Sequence, residues 1–233
     1  MRKPFVHILW YPGVNCHHET KYAFEKVGAR AKILTIYQHM KRKVRIQDCD
    51  ILVLAGGFGW GDHIRAGVIA AIDFIYRFAE VFQLMLDQDK PIAGICNGFQ
   101  AIAGAGLLDR NLGNPTLLLD RNLSGTYEHM YVQVFMHHHP GCIWTEGLDG
   151  MEFKDIVAFG EGRKVILVPE GEYSWKVAAT YGSLEGKSGY PDSPCGDPVA
   201  GICNRNIFGW FPHQERRMDD IFPVFENGVR AVR

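Results

Sequence analysis

The string Gly94-Ile95-Cys96-Asn97-Gly98 follows the apolar pair Ile92-Ala93 and runs into Phe99-Gln100-Ala101-Ile102-Ala103. A small residue two positions before and two after a cysteine lets a strand turn sharply into a helix without driving side chains into the backbone. Cys96 would then stand at the strand's carboxyl end, facing the amides and the positive dipole end of the next helix. Both favour a thiolate and can hold a developing oxyanion. A Gly-bounded cysteine can also be simple packing. Phe211-Pro212-His213-Gln214-Glu215-Arg216 adds what packing does not require. His213 and Glu215 are two apart, and in an extended segment such residues project to the same side, so Glu215 could orient the imidazole. A thiol, a base and an orienting carboxylate are the three parts of an activated nucleophile.

The elements that must position these groups are legible in the first half of the chain. Phe5 to Trp10, Ala31 to Ile36, Ile51 to Ala55 and Pro91 to Cys96 are short, nearly continuous apolar runs, as expected of strands inside a parallel sheet. A helical pattern separates the first two and ends near Val27-Gly28. Between the third and fourth, Val68, Ile72, Ile75, Ala79, Phe82 and Leu86 recur at steps of three and four, which predicts one buried helix face. Strands alternating with helices predict a doubly wound α/β fold with its ligand crevice at the strands' carboxyl ends, where both Gly56-Gly57 and Cys96 fall. Beyond Leu108 the pattern breaks into shorter pieces, Thr116 to Leu119, Tyr131 to Met136, Val165 to Val168, Val199 to Cys203 and Ile207 to Phe211. A Gly- and Pro-rich loop is expected over Tyr181 to Pro198.

With 233 residues, 47% of them hydrophobic, the chain can bury a full core, and one domain over residues 1–233 is expected. A formal charge of −1 argues against nucleic acid or an anionic membrane surface as partner. The most apolar stretch, Val68 to Leu86, is interrupted by Asp73, Arg77, Glu80 and Gln83 and is no membrane span. Met1-Arg2-Lys3-Pro4 leads directly into the first strand without a small-residue cleavage site, so no secretion signal is read there. Cys16, Cys49, Cys96, Cys142, Cys195 and Cys203 show no Cys-x-x-Cys spacing. Neither a zinc site nor a disulfide framework is expected, and a cytoplasmic protein with reduced thiols is.

Other strings invite chemistry but have plainer readings. Consecutive residues of His137-His138-His139 would alternate in direction on a strand, so a solvated turn before Pro140-Gly141 is expected rather than a metal site. His17-His18-Glu19 would open a helix. Gly56-Gly57-Phe58-Gly59-Trp60-Gly61-Asp62 lacks the Lys-Ser/Thr of a phosphate loop and the spacing of a dinucleotide fingerprint, leaving a substrate-lining loop. Arg65 fits either a substrate clamp or a surface ion pair, and Asp62 is equally open. The five cysteines other than Cys96 have no evident base beside them and are expected to be core or surface thiols.

In order and spacing, these motifs resemble the triad, class I glutamine amidotransferases and, among them, the glutaminase subunits of phosphoribosylformylglycinamidine synthase. The resemblance runs over nearly the whole chain. It is carried by Pro12-Gly13-Val14-Asn15-Cys16, Gly56-Gly57-Phe58, Gly61-Asp62, Arg65-Ala66-Gly67, Gly94 to Gln100, Ala105-Gly106-Leu107-Leu108, Gly160-Glu161-Gly162-Arg163, Ala200-Gly201-Ile202-Cys203-Asn204 and Pro212-His213 with Glu215. It implies a flavodoxin-like sheet, doubly wound, mostly parallel and flanked by helices, with additional short strands. It also implies hydrolysis of glutamine to glutamate and ammonia by Cys96, His213 and Glu215, with the oxyanion held by the backbone amides of Gly57 and Asn97. The ammonia would pass to an ATP-dependent synthetase, which a small accessory subunit could join. ATP and magnesium would belong to that synthetase, leaving no cofactor or metal on this chain.

The chain departs from that family's pattern at Ala55 and Gln214, where prolines are common, at Phe159, where a histidine is frequent, and around Thr126, where arginines are usual. Two alternatives follow: a catalytically silent regulatory or binding subunit of the same fold, or an amidotransferase serving a different acceptor. A protease-like cysteine hydrolase is disfavoured by the late Pro-His-x-Glu arrangement.

Overall fold

In the computed structural model, which describes residues 2–41, 45–182 and 193–233, the early apolar runs become strands β1 (Phe5–Trp10), β2 (Arg30–Thr35), β3 (Ile51–Leu54) and β4 (Ile92–Ile95). They pair in parallel, β1 lying between β2 and β3, and β4 beyond β3. Every residue of β3 and β4 is buried, as a strand covered on both faces requires. Helix α1 (His17–Lys26) connects β1 to β2. The short α2 (Ile36–Met40) follows, and α3 (Val68–Ile72) and α4 (Ala79–Asp87) connect β3 to β4. From β1 the chain steps first to one side and then to the other. Right-handed crossovers therefore put α1 on one face and α3 and α4 on the opposite one.

The single buried helix face expected over Val68 to Leu86 is not continuous. A π-helical turn, Asp73–Arg77, separates α3 from α4, with the Phe78 amide bonded to the Asp73 carbonyl at 2.9 Å. The extra residue rotates the apolar stripe. Ile72 is left largely exposed, while Phe74 and Phe78 take the buried positions. An ion pair between Arg77 and Asp73 at 3.3 Å staples the turn from outside.

After α5 (Asn97–Gly104) the chain forms β5 (Leu117–Arg121), β6 (Glu128–Met136), β7 (Glu152–Phe159), β8 (Glu161–Ile166), β9 (Lys176–Gly182), β10 (Val199–Asn204) and β11 (Ile207–Trp210), then α6 (Pro223–Arg230). The central sheet has the order β2-β1-β3-β4-β11-β10-β9-β6-β7, and β5 and β8 form a separate antiparallel pair. Its first five strands are parallel, and β10 onward run antiparallel. The sheet is thus an α/β parallel half flanked by helices, extended by added strands. Helix α5 packs on α3, and α6 packs on α1.

β7 and β9 were not expected from the sequence, and β9 overlaps the start of the loop predicted over Tyr181 to Pro198; residues 183–192 of that loop lie outside the described residues. The expectation of wholly reduced thiols is also corrected: Cys142 and Cys203 form a disulfide with Cα atoms 6.2 Å apart. Backbone and indole bonds from Ile143 and Trp144 to the carbonyls of Arg205 and Asn206 press this loop onto the β10–β11 turn. Tertiary packing across a 61-residue separation brings the two sulfurs together, so no local spacing announced them. The three consecutive histidines are not a solvated turn either. They are partly buried, and their rings diverge onto Thr180 Oγ1, Thr145 Oγ1 and the Val177 carbonyl.

Candidate active site

Cys96 occupies the bend between β4 and α5, with φ +51° and ψ −109°. Such a backbone costs a non-glycine residue roughly 1–3 kcal/mol and persists only where its surroundings over-determine it. Here its amide donates to the Trp210 carbonyl at 2.8 Å, and its carbonyl accepts the Gln100 amide at 3.1 Å. Strand and helix meet backbone to backbone. A Cβ on Gly94 would lie 2.5 Å from the Gly98 carbonyl oxygen, and one on Gly98 would collide with the Leu54 carbonyl. The Cys96 sulfur is thereby fixed at the start of α5, 3.4 Å from the Ala158 carbonyl oxygen.

His213 arrives from β11, whose register places Trp210 opposite Ile95, so the ends of β11 and β4 lie side by side. Phe211, packed at a tilt against Phe99 and Phe159 at centroid distances of 5.0 and 4.2 Å, anchors the segment that carries it. The His213 amide donates to the Ile156 carbonyl at 2.9 Å. Residues Gln214–Arg216 form a 3-10 turn, not the extended segment expected, and this turn curls Glu215 back under the ring. The two side chains, both buried, meet at 2.6 Å between His213 Nδ1 and Glu215 Oε1. Burial of the ring favours neutral imidazole. The Glu215 carboxylate and then Cys96 outweigh it, and with hydrogen bonds to the Cys16 and Cys96 thiols they hold the His213 pKa well above its ordinary value.

Gly57 has φ +144°, and a Cβ there would sit 2.6–2.8 Å from backbone atoms of Gly13, Val14 and Asn15. Only glycine fits this left-handed, crowded position beside the cleft. Asn97 is the first residue of α5, so its amide has no acceptor within the helix and is free to face a ligand. Its side chain braces the neighbouring loop. Oδ1 accepts the Gly59 amide at 3.0 Å, and Nδ2 donates to Asp62 Oδ1 at 2.8 Å and to Gln100 Oε1 at 3.0 Å. That loop holds Trp60, Asp62 and Ile64 at positive φ, strain that the Asn97 contacts help retain.

Cys96 stands between two connected hollows. The outer, of about 450 Å³, is bordered by Cys16, Gly57, Tyr127, His129, His213 and Arg216. The inner, of about 120 Å³, is bordered by Gly57, Asp62, Gln100, Phe159 and Glu161. Burial pushes the Asp62 carboxyl up to about 6 against the Asn97 bond that lowers it, and the Glu161 charge adds to the rise. Asp62 is still ionised at neutral pH, and with Glu161 beside it the inner hollow is suited to an ammonium group.

All five residues expected at the site from sequence, Cys96, His213, Glu215, Gly57 and Asn97, converge here. Arg65 takes the ion-pair alternative: it bridges to Asp120 at 2.5 Å and, at 3.8 Å, to Glu161, tying the loop before α3 to the β5–β8 pair. Phe159 is a core residue, and buried Gln214 accepts the Val224 amide at 3.2 Å. Thr126 bonds to Glu128. Sequence reasoning missed Cys16, whose sulfur lies against His213 and accepts from Arg216 Nη2 at 3.4 Å. Only its place just before a helix, near a Gly-rich loop, could have hinted at this.

A family model described as the CobB/CobQ-like glutamine amidotransferase domain matches residues 3–225. The chain is 33% identical over 216 residues to phosphoribosylformylglycinamidine synthase subunit PurQ of Dehalococcoides mccartyi, covering 90% of this chain and 84% of that protein. It is 32% identical over 237 residues to the subunit of the same name from Sulfurimonas denitrificans, covering 98% and 97%. Among solved structures, PurLQS from Thermotoga maritima aligns with a TM-score of 0.76 at 24% identity, over 99% of this chain and 98% of that one. The glutaminase domain of Trypanosoma brucei CTPS with bound acivicin aligns at 0.59 and 13% identity, over 99% and 94%. Both likenesses are of fold.

Proposed function

Because the chain belongs to the CobB/CobQ-like glutamine amidotransferase domain family, we propose that it is the glutaminase subunit of a phosphoribosylformylglycinamidine synthase, supplying ammonia to a purine-forming synthetase. Relatives at 33% and 32% identity over most of both chains bear that subunit name. The observation that carries the chemistry is the meeting of the strained Cys96 with the buried His213–Glu215 pair in one cleft.

Glutamine enters with its side-chain amide at Cys96 and its α-ammonium toward Asp62 and Glu161 in the inner hollow. The Cys96 sulfur attacks the amide carbon, and the oxyanion that forms is held by the Gly57 and Asn97 amides, donors already fixed before reaction. His213, kept cationic by Glu215, gives its proton to the departing nitrogen, and ammonia leaves a thioester on Cys96. The now neutral imidazole takes a proton from water, whose oxygen attacks the thioester. Glutamate and free thiol result. We assign ATP and magnesium to the synthetase, together with any small accessory subunit.

A glutamine-analogue electrophile should label Cys96 stoichiometrically. An adduct on another cysteine, or none with synthetase and nucleotide supplied, refutes the catalytic assignment. In the assembled synthase, Cys96→Ala should abolish glutamine-dependent synthesis while ammonia-dependent synthesis survives. Retained glutamine-dependent turnover would favour the reading as a silent subunit.

A further inference from the structure

Beside the triad lies a second set of groups that the hydrolysis does not use as a set. The Cys16 sulfur, a ring nitrogen of His213 and a carboxylate oxygen of Glu215 all lie within 4.8 Å of one another, and all three residues are buried. Glu215 spends only Oε1 on His213. Its Oε2 is fully buried with no hydrogen-bond partner, an uncommon state for a carboxylate oxygen. Cys16, immediately before α1, has its backbone fixed by its amide bond to the Gly56 carbonyl, while its sulfur lies against the His213 ring and makes weak contacts with Asn15 and Arg216.

We propose that Cys16, His213 and Glu215 form a site for a thiophilic divalent cation, zinc foremost, and that its occupation takes the base out of the triad. Thiolate, imidazole and carboxylate are the ligand types zinc selects, and three protein ligands plus a water complete its tetrahedron. Zinc bonds of about 2.0–2.3 Å place tetrahedral neighbours about 3.3–3.5 Å apart. The three groups therefore need to close by little more than about 1 Å, within reach of a turn of the Cys16 side chain. Charge also balances: a thiolate and a carboxylate neutralise the dication in a buried setting where an uncompensated charge would be costly. On binding, the Cys16 thiol and the His213 imidazolium each release a proton to solvent, and Arg216 gives up its contact with the sulfur. The ion enters through the outer hollow, which Cys16 and His213 both border.

Cobalt(II) titration of the full chain tests the site without turnover, so its result stands apart from the glutaminase reading. Cobalt should give a one-equivalent thiolate-to-metal charge-transfer band, bleached by zinc. Cys16→Ser and Cys16→Ala should each abolish the band, and Cys96→Ser should keep it. Zinc should inhibit glutamine hydrolysis by the synthase, and Cys16→Ser should raise the half-inhibitory zinc concentration by more than about tenfold, each variant being referred to its own metal-free rate. Glu215→Gln should weaken cobalt binding with the band's position retained, which also tests the site should the Cys16 variants fail to fold. A band that survives loss of Cys16, any dependence of the band on Cys96, or no thiolate band at all overturns the proposal.

Discussion

Gly56 separates the nucleophile from the base, and Gly56→Ala tests whether their spacing carries the chemistry. A Cβ at this position would sit 2.8 Å from His213 Cε1 and 3.3 Å from Cys96 Cβ, with the Ile95 carbonyl oxygen at 3.4 Å. Carbon atoms rest about 3.5–4.0 Å apart. The added methyl must therefore push the imidazole roughly 0.7–1.2 Å away, or break its bond to Glu215. A displacement of about 1 Å in a reacting pair costs on the order of 10²-fold in rate, equivalent to about 2.7 kcal/mol in the barrier. The Asp62 and Glu161 end of the cleft is untouched, so kcat should fall by about that factor with KM nearly constant. Steady-state glutaminase assays of the synthase measure both, and alkylation of Cys96 should slow in parallel. A folded Gly56→Ala protein whose kcat stays within about threefold of the parent would refute the reasoning, because a wedge between thiol and base would then be shown not to matter.

Three further outcomes follow from the same geometry. Glu215→Gln keeps the shape but leaves His213 without its counter-charge, so kcat should drop roughly 10⁴-fold; a loss under tenfold would show that Glu215 only packs. Asp62, raised to about 6 chiefly by burial, is ionised above that pH and neutral below it. KM for glutamine should thus rise up to about tenfold from pH 7 to pH 5, and a flat KM would remove Asp62 from ammonium binding. Asp155 is buried, with both carboxylate oxygens unpartnered and Arg217 Nε 3.7 Å away, and desolvation raises it from 3.8 to about 6. The folded state therefore holds the proton more tightly than the unfolded chain. Stability from this group is full below pH 3.8 and lost as pH rises through 6, by about 3 kcal/mol. The melting-temperature difference of Asp155→Asn minus parent should accordingly be more positive at pH 8 than at pH 4.5.

The parallel half was legible because its strands are buried on both faces. Ile51 to Leu54 and Ile92 to Ile95 are unbroken apolar runs, and the glycines around Cys96 mark the bend directly. The added strands were harder to see. β7 alternates between faces, but Asp155 occupies one of its buried positions and disguises the period. β6 begins with the mostly exposed Glu128, His129 and Met130, so its start shows no apolar signal. The π-helical turn is a matter of backbone bonding, closed by the Phe78 amide on the Asp73 carbonyl, which side-chain periodicity cannot report. Within the site, His213 and Glu215 were found by their spacing, although the local conformation is a tight turn and not an extended strand. Cys16 reaches the base only through tertiary packing, which leaves no motif in the chain.

Cys96 and His213 are 117 positions apart in the chain, yet one hydrogen-bonded strand pair, β4 with β11, sets their separation, with the Cys96 amide held by Trp210. The chain between them builds the antiparallel strands and lends the cleft Tyr127, Ala158 and Glu161 from its walls. Such an arrangement acts as a ruler with exchangeable walls. Lengthening or replacing the excursion between α5 and β11 can reshape what the cleft admits and which protein docks over it, while the strand pair keeps thiol and base at one distance. New specificity in this architecture is therefore open to large insertions and grafts in the middle of the chain, but closed to a single-residue slip in the register of β11 against β4.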